Sequence, residues 1–181
     1  NAYGFTKALS ESLMVEQSRT YKNIKYVSVR YGNVINSRGS IIPLLHQLGT
    51  NPAVTMLPLI HMNATRFIMT LTDCIRLIDY AITNAPNGSI VIPPLVSMRM
   101  RDLFDIYSEK YNKPVTITQL RAGEKLGEIL ISDVQMRRTC QANGYWHIIP
   151  YHELSATTQS TIQYQLIDNS VSPAQFRSET E

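Results

Sequence analysis

Between Tyr3 and Arg19 the apolar residues Phe5, Ala8, Leu9, Leu13 and Met14 return every three or four positions, the period of an amphipathic helix, and Asn23 is placed to close it. Over residues 25–31 the period drops to two. Val27, Val29 and Tyr31 fall on one side and Tyr26, Ser28 and Arg30 on the other, which predicts a strand with one better-buried face. A helix followed by a strand is half of a βαβ unit. Ser40 then stands before an apolar run, residues 41–48, that Gly49 ends, so Ser40 suits an N-cap and Pro43 falls in the first turn, where proline is tolerated.

Residues 50–64 read as a loop with a short strand about Val54-Thr55-Met56. Thr70 or Thr72 opens a second broad stripe of Cys74, Ile75, Leu77, Ile78, Ala81 and Ile82, closed by Asn84, Pro86 and Gly88. Residues 89–92 form a short apolar run that reads as a buried strand returning to the sheet of residues 25–31. Leu103, Phe104, Ile106 and Tyr107 give helical spacing over residues 101–111, and residues 115–120 alternate as a strand. Residues 145–150 read as a last strand, and residues 152–181, rich in Ser, Thr and Gln with little apolar period, read as a tail. Helices and strands in this alternation predict an α/β fold.

The first helix brings in candidate chemistry. Tyr3 and Lys7 are four apart, which puts a phenol and an ammonium on one helix face, where the positive charge favours the ionised phenolate. A tyrosine so placed can take a proton from a sugar hydroxyl. The same spacing recurs at Tyr21 and Lys25, but those two straddle the predicted helix end. Tyr3 has the small neighbours Gly4, Thr6 and Ala8, which leave room for a flat cofactor. Spacing alone leaves a solvated helix edge as the other reading of the Tyr3/Lys7 pair.

Composition narrows the field. A chain of 181 residues, 44% hydrophobic, can bury the core of one domain with a small lobe attached. The net charge of +3 comes from scattered basic residues with no cluster interleaved with aromatics, so no nucleic-acid surface is expected, only local phosphate binding. Cys74 and Cys140 are far apart and bear no metal-ligand spacing to His46, His61, His147 or His152, so no metal site is expected and both read as buried thiols in a reducing, cytoplasmic setting. No apolar run approaches membrane-spanning length, and no membrane association is expected. The eight glycines contain no Gly-x-Gly or Gly-x-x-Gly, so the turn that cradles a dinucleotide's pyrophosphate is expected outside these residues, in a longer protein that begins upstream of Asn1.

Five segments, in order, resemble the second half of one family. They are Tyr3-Gly4-Phe5-Thr6-Lys7, Val29-Arg30-Tyr31-Gly32-Asn33-Val34, Ser37-Arg38-Gly39-Ser40-Ile41-Ile42-Pro43, Thr65-Arg66-Phe67 and Arg121-Ala122-Gly123-Glu124-Lys125-Leu126. The family is the UDP-N-acetylglucosamine 4,6-dehydratases of the CapD-like polysaccharide-biosynthesis group, within the extended short-chain dehydrogenase/reductases. The resemblance covers about residues 1–150. Two places depart from it: Ile60-His61-Met62-Asn63-Ala64 stands where relatives read Thr-Asp-Pro-Arg-Met, and Ala122 and Gly127 replace a Pro and a His.

The resemblance implies the C-terminal part of a Rossmann-like NAD(P)-binding fold with a small α/β substrate-binding lobe. Residues 1–36 would end the nucleotide-binding domain and residues 67–95 return to its sheet. Residues 37–66 and 96–150 would build the substrate lobe, with 151–181 as the tail. It implies Tyr3 as catalytic base with Lys7 holding the nicotinamide ribose, and NAD or NADP as cofactor, with Tyr31 and Asn33 near it. A UDP-sugar substrate would meet Asn33, Arg38, Ser40, Arg66, Arg121 and Glu124. Arg66 and Arg121 would reach the diphosphate, since a planar guanidinium binds phosphate oxygens in pairs, and Glu124 would accept the ribose hydroxyls. From residue type alone, Asn33 also suits a turn, Ser40 and Arg38 a plain helix start, Arg66 a surface strand start, and Glu124 a helix start. A homo-oligomer is implied for the full-length form, and the isolated chain is expected to be inactive. Two further readings stay open: another UDP-sugar epimerase or reductase of the superfamily, and a non-catalytic paralogue that keeps only a nucleotide-sugar-binding lobe.

Overall fold

The computed structural model describes residues 2–119, 123–153 and 165–166. In chain order these form α1 (Ala2–Thr20), β1 (Ser28–Val29), β2 (Asn33–Val34), α2 (Ile41–Thr50), β3 (Leu57–Leu59), β4 (Thr65–Met69), α3 (Leu71–Asn84) and β5 (Ile90–Ile92). Then come β6 (Val96–Arg99), α4 (Met100–Tyr111), β7 (Val115–Ile117), α5 (Asp133–Met136), β8 (Thr139–Ala142), β9 (Tyr145–Ile148) and β10 (Gln165–Leu166). They divide into two compact units. One takes residues 2–31, 72–94, 130–153 and 165–166, and the other takes 32–71, 95–119 and 123–129.

The first unit is built on a five-stranded sheet in the order β1-β5-β9-β8-β10. β1 runs parallel to β5, with Ser28 opposite Ile90, and every other pairing is antiparallel. The predicted strand over residues 25–31 shrinks to β1, but the ladder reaches past both ends: Ser28 N–H donates to Ser89 O and Arg30 N–H to Val91 O. Val27 and Val29 pack against Leu77, Ala81, Ala85 and Val91, so the predicted alternation marks the face that meets α3. Of these, the fully buried Leu77 and Val91 each contribute about 1.5–3 kcal/mol. β8 was not expected. It forms a hairpin with β9 through Asn143 and Gly144, both at positive φ (52° and 80°), the geometry of a tight two-residue turn.

Helix α1 is held at its C-terminal end and bare at its N-terminal end. Ser18 is its only buried residue, and it lies where a Cβ on Gly88 (φ +75°) would collide with its Oγ, so Gly88 lets the turn after α3 close on the helix. Asn87 Nδ2 donates to Ser18 O. In mid-helix, Arg30 clamps Glu11 with two hydrogen bonds (2.8 and 2.6 Å) while Nη1 donates to Leu130 O and Gln135 Oε1, tying α1, β1 and α5 together. Phe5 and Leu9, however, are 76% and 61% exposed, and Ile75 and Ile82 on α3 are exposed as well.

Two buried groups in this unit bear on its chemistry. His147, wholly enclosed, shares a 3.0 Å hydrogen bond with Tyr80 Oη, and burial pushes its imidazole down to about 4. Cys140 is likewise enclosed, and burial pushes its thiol up to about 12. Cys74 is also buried and unpaired with Cys140.

In the second unit, β2 pairs parallel with β4, and β4 antiparallel with β6. A separate parallel pair, β3 and β7, carries α2 and α4 on a core of Leu45, Leu57, Leu59, Leu103 and Phe104. Here the expected strand at 54–56 is corrected to β3 at Leu57–Leu59. Leu57 and Leu59 bury their side chains while Pro58 faces out, and proline is tolerated because each strand of a two-stranded sheet is an edge. The expected turn at Asn33 is also corrected, since Asn33 begins β2. Helix α4 stops at Asn112 in the left-handed conformation (φ 50°), and Lys113 Nζ then donates to Leu48 O and Asn51 O, closing the end of α2.

Candidate functional site

The second unit encloses a cavity of about 690 Å³. Ile41, Leu59, Met98 and Phe104 supply apolar wall, while Asn33, Ser40, Arg66 and Glu124 bring polar groups to the same space. Its size and its mostly apolar lining with a few polar groups match a site for a small organic ligand.

The polar side starts from a glycine. A Cβ on Gly32 would sit 2.7 Å from Phe67 O and 2.8 Å from Phe67 C, so only glycine lets the chain pass β4 this closely. The next residue, Asn33, opens the β2–β4 ladder opposite Ile68 and turns its Nδ2 onto Phe67 O at 3.1 Å. The same Nδ2 reaches the carboxylate of Glu128 at 3.3 Å.

Arg66, on β4, is 19% exposed, and most of its donors are engaged. Nη1 donates to Thr65 O (2.7 Å) and Leu126 O (3.1 Å), and Nη2 to Lys125 O (3.0 Å) and Glu124 Oε1 (3.2 Å). Its Nε lies 3.8 Å from Glu128 Oε1. One guanidinium therefore fastens the 124–128 segment to β4 and faces two carboxylates. A diphosphate arriving here would compete with Glu124 for the guanidinium.

Ser40 holds the N-cap position of α2 (φ −78°, ψ 173°), but its hydroxyl makes no capping bond. The Oγ is buried and has no hydrogen-bond partner among the described residues, and Ser40 is one of the residues that line the cavity. Arg38, nearby in sequence, is exposed and does not line the cavity. Arg121 lies outside the described residues.

Tyr3, Lys7 and Tyr31 belong to the first unit. Lys7 Nζ stands 5.4 Å from the centre of the Tyr3 ring, so the two share one face of α1, and Tyr3 is 71% exposed. Tyr31 is half exposed. The structure thus brings Asn33, Ser40, Arg66 and Glu124 to one cavity and Tyr3 to Lys7. Sequence reasoning gave Glu128 no role. The available signal was a second acid four residues after Glu124 in the same motif.

Curated relatives match most of the chain. The UDP-N-acetylglucosamine 4,6-dehydratase (inverting) of Campylobacter jejuni is 34% identical over 152 residues, which is 83% of this chain and 45% of that protein. An uncharacterized membrane protein of Methanocaldococcus jannaschii is 36% identical over 164 residues, and the UDP-glucose 4-epimerase of Rickettsia typhi 32% over 155. The chain spans about half the length of the curated relatives it matches. Among solved structures, the X-ray structure of Pen from Bacillus thuringiensis matches with a TM-score of 0.82 at 25% identity, over 99% of this chain and 53% of that one. RMD from Pseudomonas aeruginosa, complexed with NADPH, shares the fold at a TM-score of 0.51 and 15% identity, over 69% of this chain and 44% of that one. These likenesses bear out the expected Rossmann-like α/β fold class. With residues 1–150 matched by the model of the polysaccharide biosynthesis protein family, the chain belongs to that family.

Proposed function

We propose that this chain is part of an NAD(P)-dependent nucleotide-sugar dehydratase acting on a UDP-N-acetylhexosamine. The observation that carries the reading is the convergence of Asn33, Ser40, Arg66 and Glu124, spread over more than ninety positions, on one cavity. The relatives' names supply the substrate class, because the Campylobacter and Rickettsia proteins are both UDP-sugar enzymes.

The residues present fit a nicotinamide cofactor at the start of α1. Residues 2–10 are all exposed, Tyr3 and Lys7 share a face, and Gly4, Thr6 and Ala8 keep the approach open. When bound, the nicotinamide supplies a hydride acceptor and donor. Tyr3 takes the proton of the sugar's C4 hydroxyl, and Lys7, on the same helix face, holds the nicotinamide ribose. A C4 ketone would acidify the C5 hydrogen, which leaves with the C6 hydroxyl as water. Return to C6 of the hydride removed from C4, with a solvent proton at C5, would complete the 4-keto-6-deoxy sugar. In the cavity, Ser40 and Asn33 offer hydrogen bonds to the nucleotide-sugar, Glu124 accepts from ribose hydroxyls, and Arg66 contributes positive charge at the diphosphate.

Epimerisation at C4 is the second reading, favoured by the UDP-glucose 4-epimerases among the relatives. Incubating protein that carries these residues with UDP-N-acetylglucosamine and NAD⁺ or NADP⁺ separates the two. A 4-keto-6-deoxy product, with solvent deuterium at C5 in D₂O, supports dehydration, and a C4 epimer with its C6 hydroxyl intact supports epimerisation. No conversion together with no UDP binding overturns both. Residues 1–181 alone are expected to show no turnover and negligible binding of NAD⁺ and NADP⁺ by calorimetry, given the absence of any Gly-x-Gly turn in the sequence.

A further inference from the structure

Glu128 does not line the cavity, yet it touches two of the residues that do. Both of its carboxylate oxygens lie 3.3 Å from Asn33 Nδ2, Oε2 accepts the Phe67 N–H at 3.2 Å, and Oε1 lies 3.8 Å from Arg66 Nε. These partners sit on two strands, Asn33 on β2 and Arg66 and Phe67 on β4. The arrangement follows from the backbone. The β2–β4 ladder begins at Asn33 opposite Ile68, and just before it Gly32 passes too close to Phe67 for any side chain. The Phe67 N–H, just before the start of that ladder, donates to Glu128, and Asn33 Nδ2 donates to the Phe67 carbonyl. Glu124 is a contrast, since its only hydrogen bond to Arg66 is a single 3.2 Å contact.

We infer that Glu128 is a positioning residue for nucleotide-sugar binding, which holds the Asn33 carboxamide and the Arg66 guanidinium in the orientations they present to the ligand. The inference rests on the reading of the cavity as a UDP-sugar site. A carboxylate suits this place because these three groups are all donors, and an acceptor-only group with two oxygens can serve them together. An amide of the same shape offers one oxygen and turns an NH₂ toward Asn33 or Arg66, donor against donor.

The test compares UDP with uridine by calorimetric titration into protein carrying residues 1–181, with Glu128 intact, with Glu128→Gln and with Glu128→Asp. Glu128→Gln should weaken UDP about tenfold or more, since hydrogen bonds to a charged group are lost and a donor is left facing another. Uridine, which carries no phosphate for Arg66, should lose much less. A fall by the same factor for both ligands marks a merely structural role and overturns the inference, as does unchanged UDP affinity. Should Glu128→Gln fail to fold, Glu128→Asp decides. It keeps the charge near Arg66 but is one methylene short of Asn33 and Phe67, and again a larger loss for UDP than for uridine supports the inference while an equal loss overturns it. Absence of UDP binding with Glu128 intact overturns the nucleotide-sugar reading itself, and this inference with it.

Discussion

The two units satisfy their apolar residues in opposite ways. In the second, α2 and α4 close over β3 and β7 on a buried core of Leu45, Leu57, Leu59 and Phe104, and Leu59 and Phe104 also wall the cavity. In the first, α1 buries only Ser18, while Phe5, Leu9 and Leu13 face outward and, among the described residues, β1 is an edge strand with one neighbour. A parallel α/β sheet is normally covered on both faces and extended at its edges. The difference teaches that the cavity can be built by local packing, whereas α1 presents Tyr3 and Lys7 on a face that its own unit leaves open.

The sharpest way to break this division of labour is Tyr3→Phe. In an active protein carrying the chain it should cut turnover about a thousandfold, by removing the proton acceptor, while leaving UDP affinity unchanged because the cavity is built by the other unit. A parallel loss of UDP affinity would show that the two functions are not separable. Packing gives a comparably large contrast. Phe104→Ala empties a closed core and should cost about 3–5 kcal/mol in urea unfolding, while Phe5→Ala on the bare helix should stay within about 0.5 kcal/mol. Equal costs would mean that α1 is covered after all.

Acid should act on the first unit through His147. Its folded-state imidazole sits at about 4, below the ordinary 6.5, so the unfolded chain takes up the proton first as pH falls. The stability His147 permits is fully present above about pH 6.5, is lost progressively down to about pH 4 and is constant below that. The total is on the order of 3 kcal/mol. Trp146, the one tryptophan, neighbours His147 on β9, so its fluorescence in urea titrations between pH 7 and 4 follows this unit. A flat profile would show that the imidazole is hydrated. Arg121→Ala should raise the dissociation constant for UDP about tenfold through loss of a charge-assisted contact. Unchanged binding removes Arg121 from the site.

Most helices were legible because their stripes are long. Residues 71–84 and 100–111 carry repeated three- and four-residue spacing, and α3 and α4 fall where it lies. Short strands were less so. β3 has three residues, too few for a period, and its Pro58 argued against it. The β8–β9 hairpin had a readable signal in Asn143-Gly144, a pair suited to the positive φ values it adopts, which the apolar pattern alone does not weigh. At the site, Asn33, Ser40, Arg66 and Glu124 could be named from motif resemblance. That Arg66 would spend its donors on Thr65, Glu124, Lys125 and Leu126 could not, since those bonds depend on how a loop sixty residues away folds back. Glu128 was hidden for the same reason. Its role is defined by an amide on β4 that becomes available only because Gly32 ends the ladder.

The two thiols offer a built-in chemical clock. Cys74 and Cys140 are the only cysteines in the sequence, and both lie in the first unit. Alkylating reagents attack the thiolate, so Cys140, enclosed and held near 12, stays silent at neutral pH until β8 separates from its neighbours. Cys74, on the flank of α3, requires only that the helix lift. Mass-spectrometric labelling rates at the two positions would therefore time peeling of the helix against rupture of the sheet within one unit, with the cavity-bearing unit contributing no signal of its own.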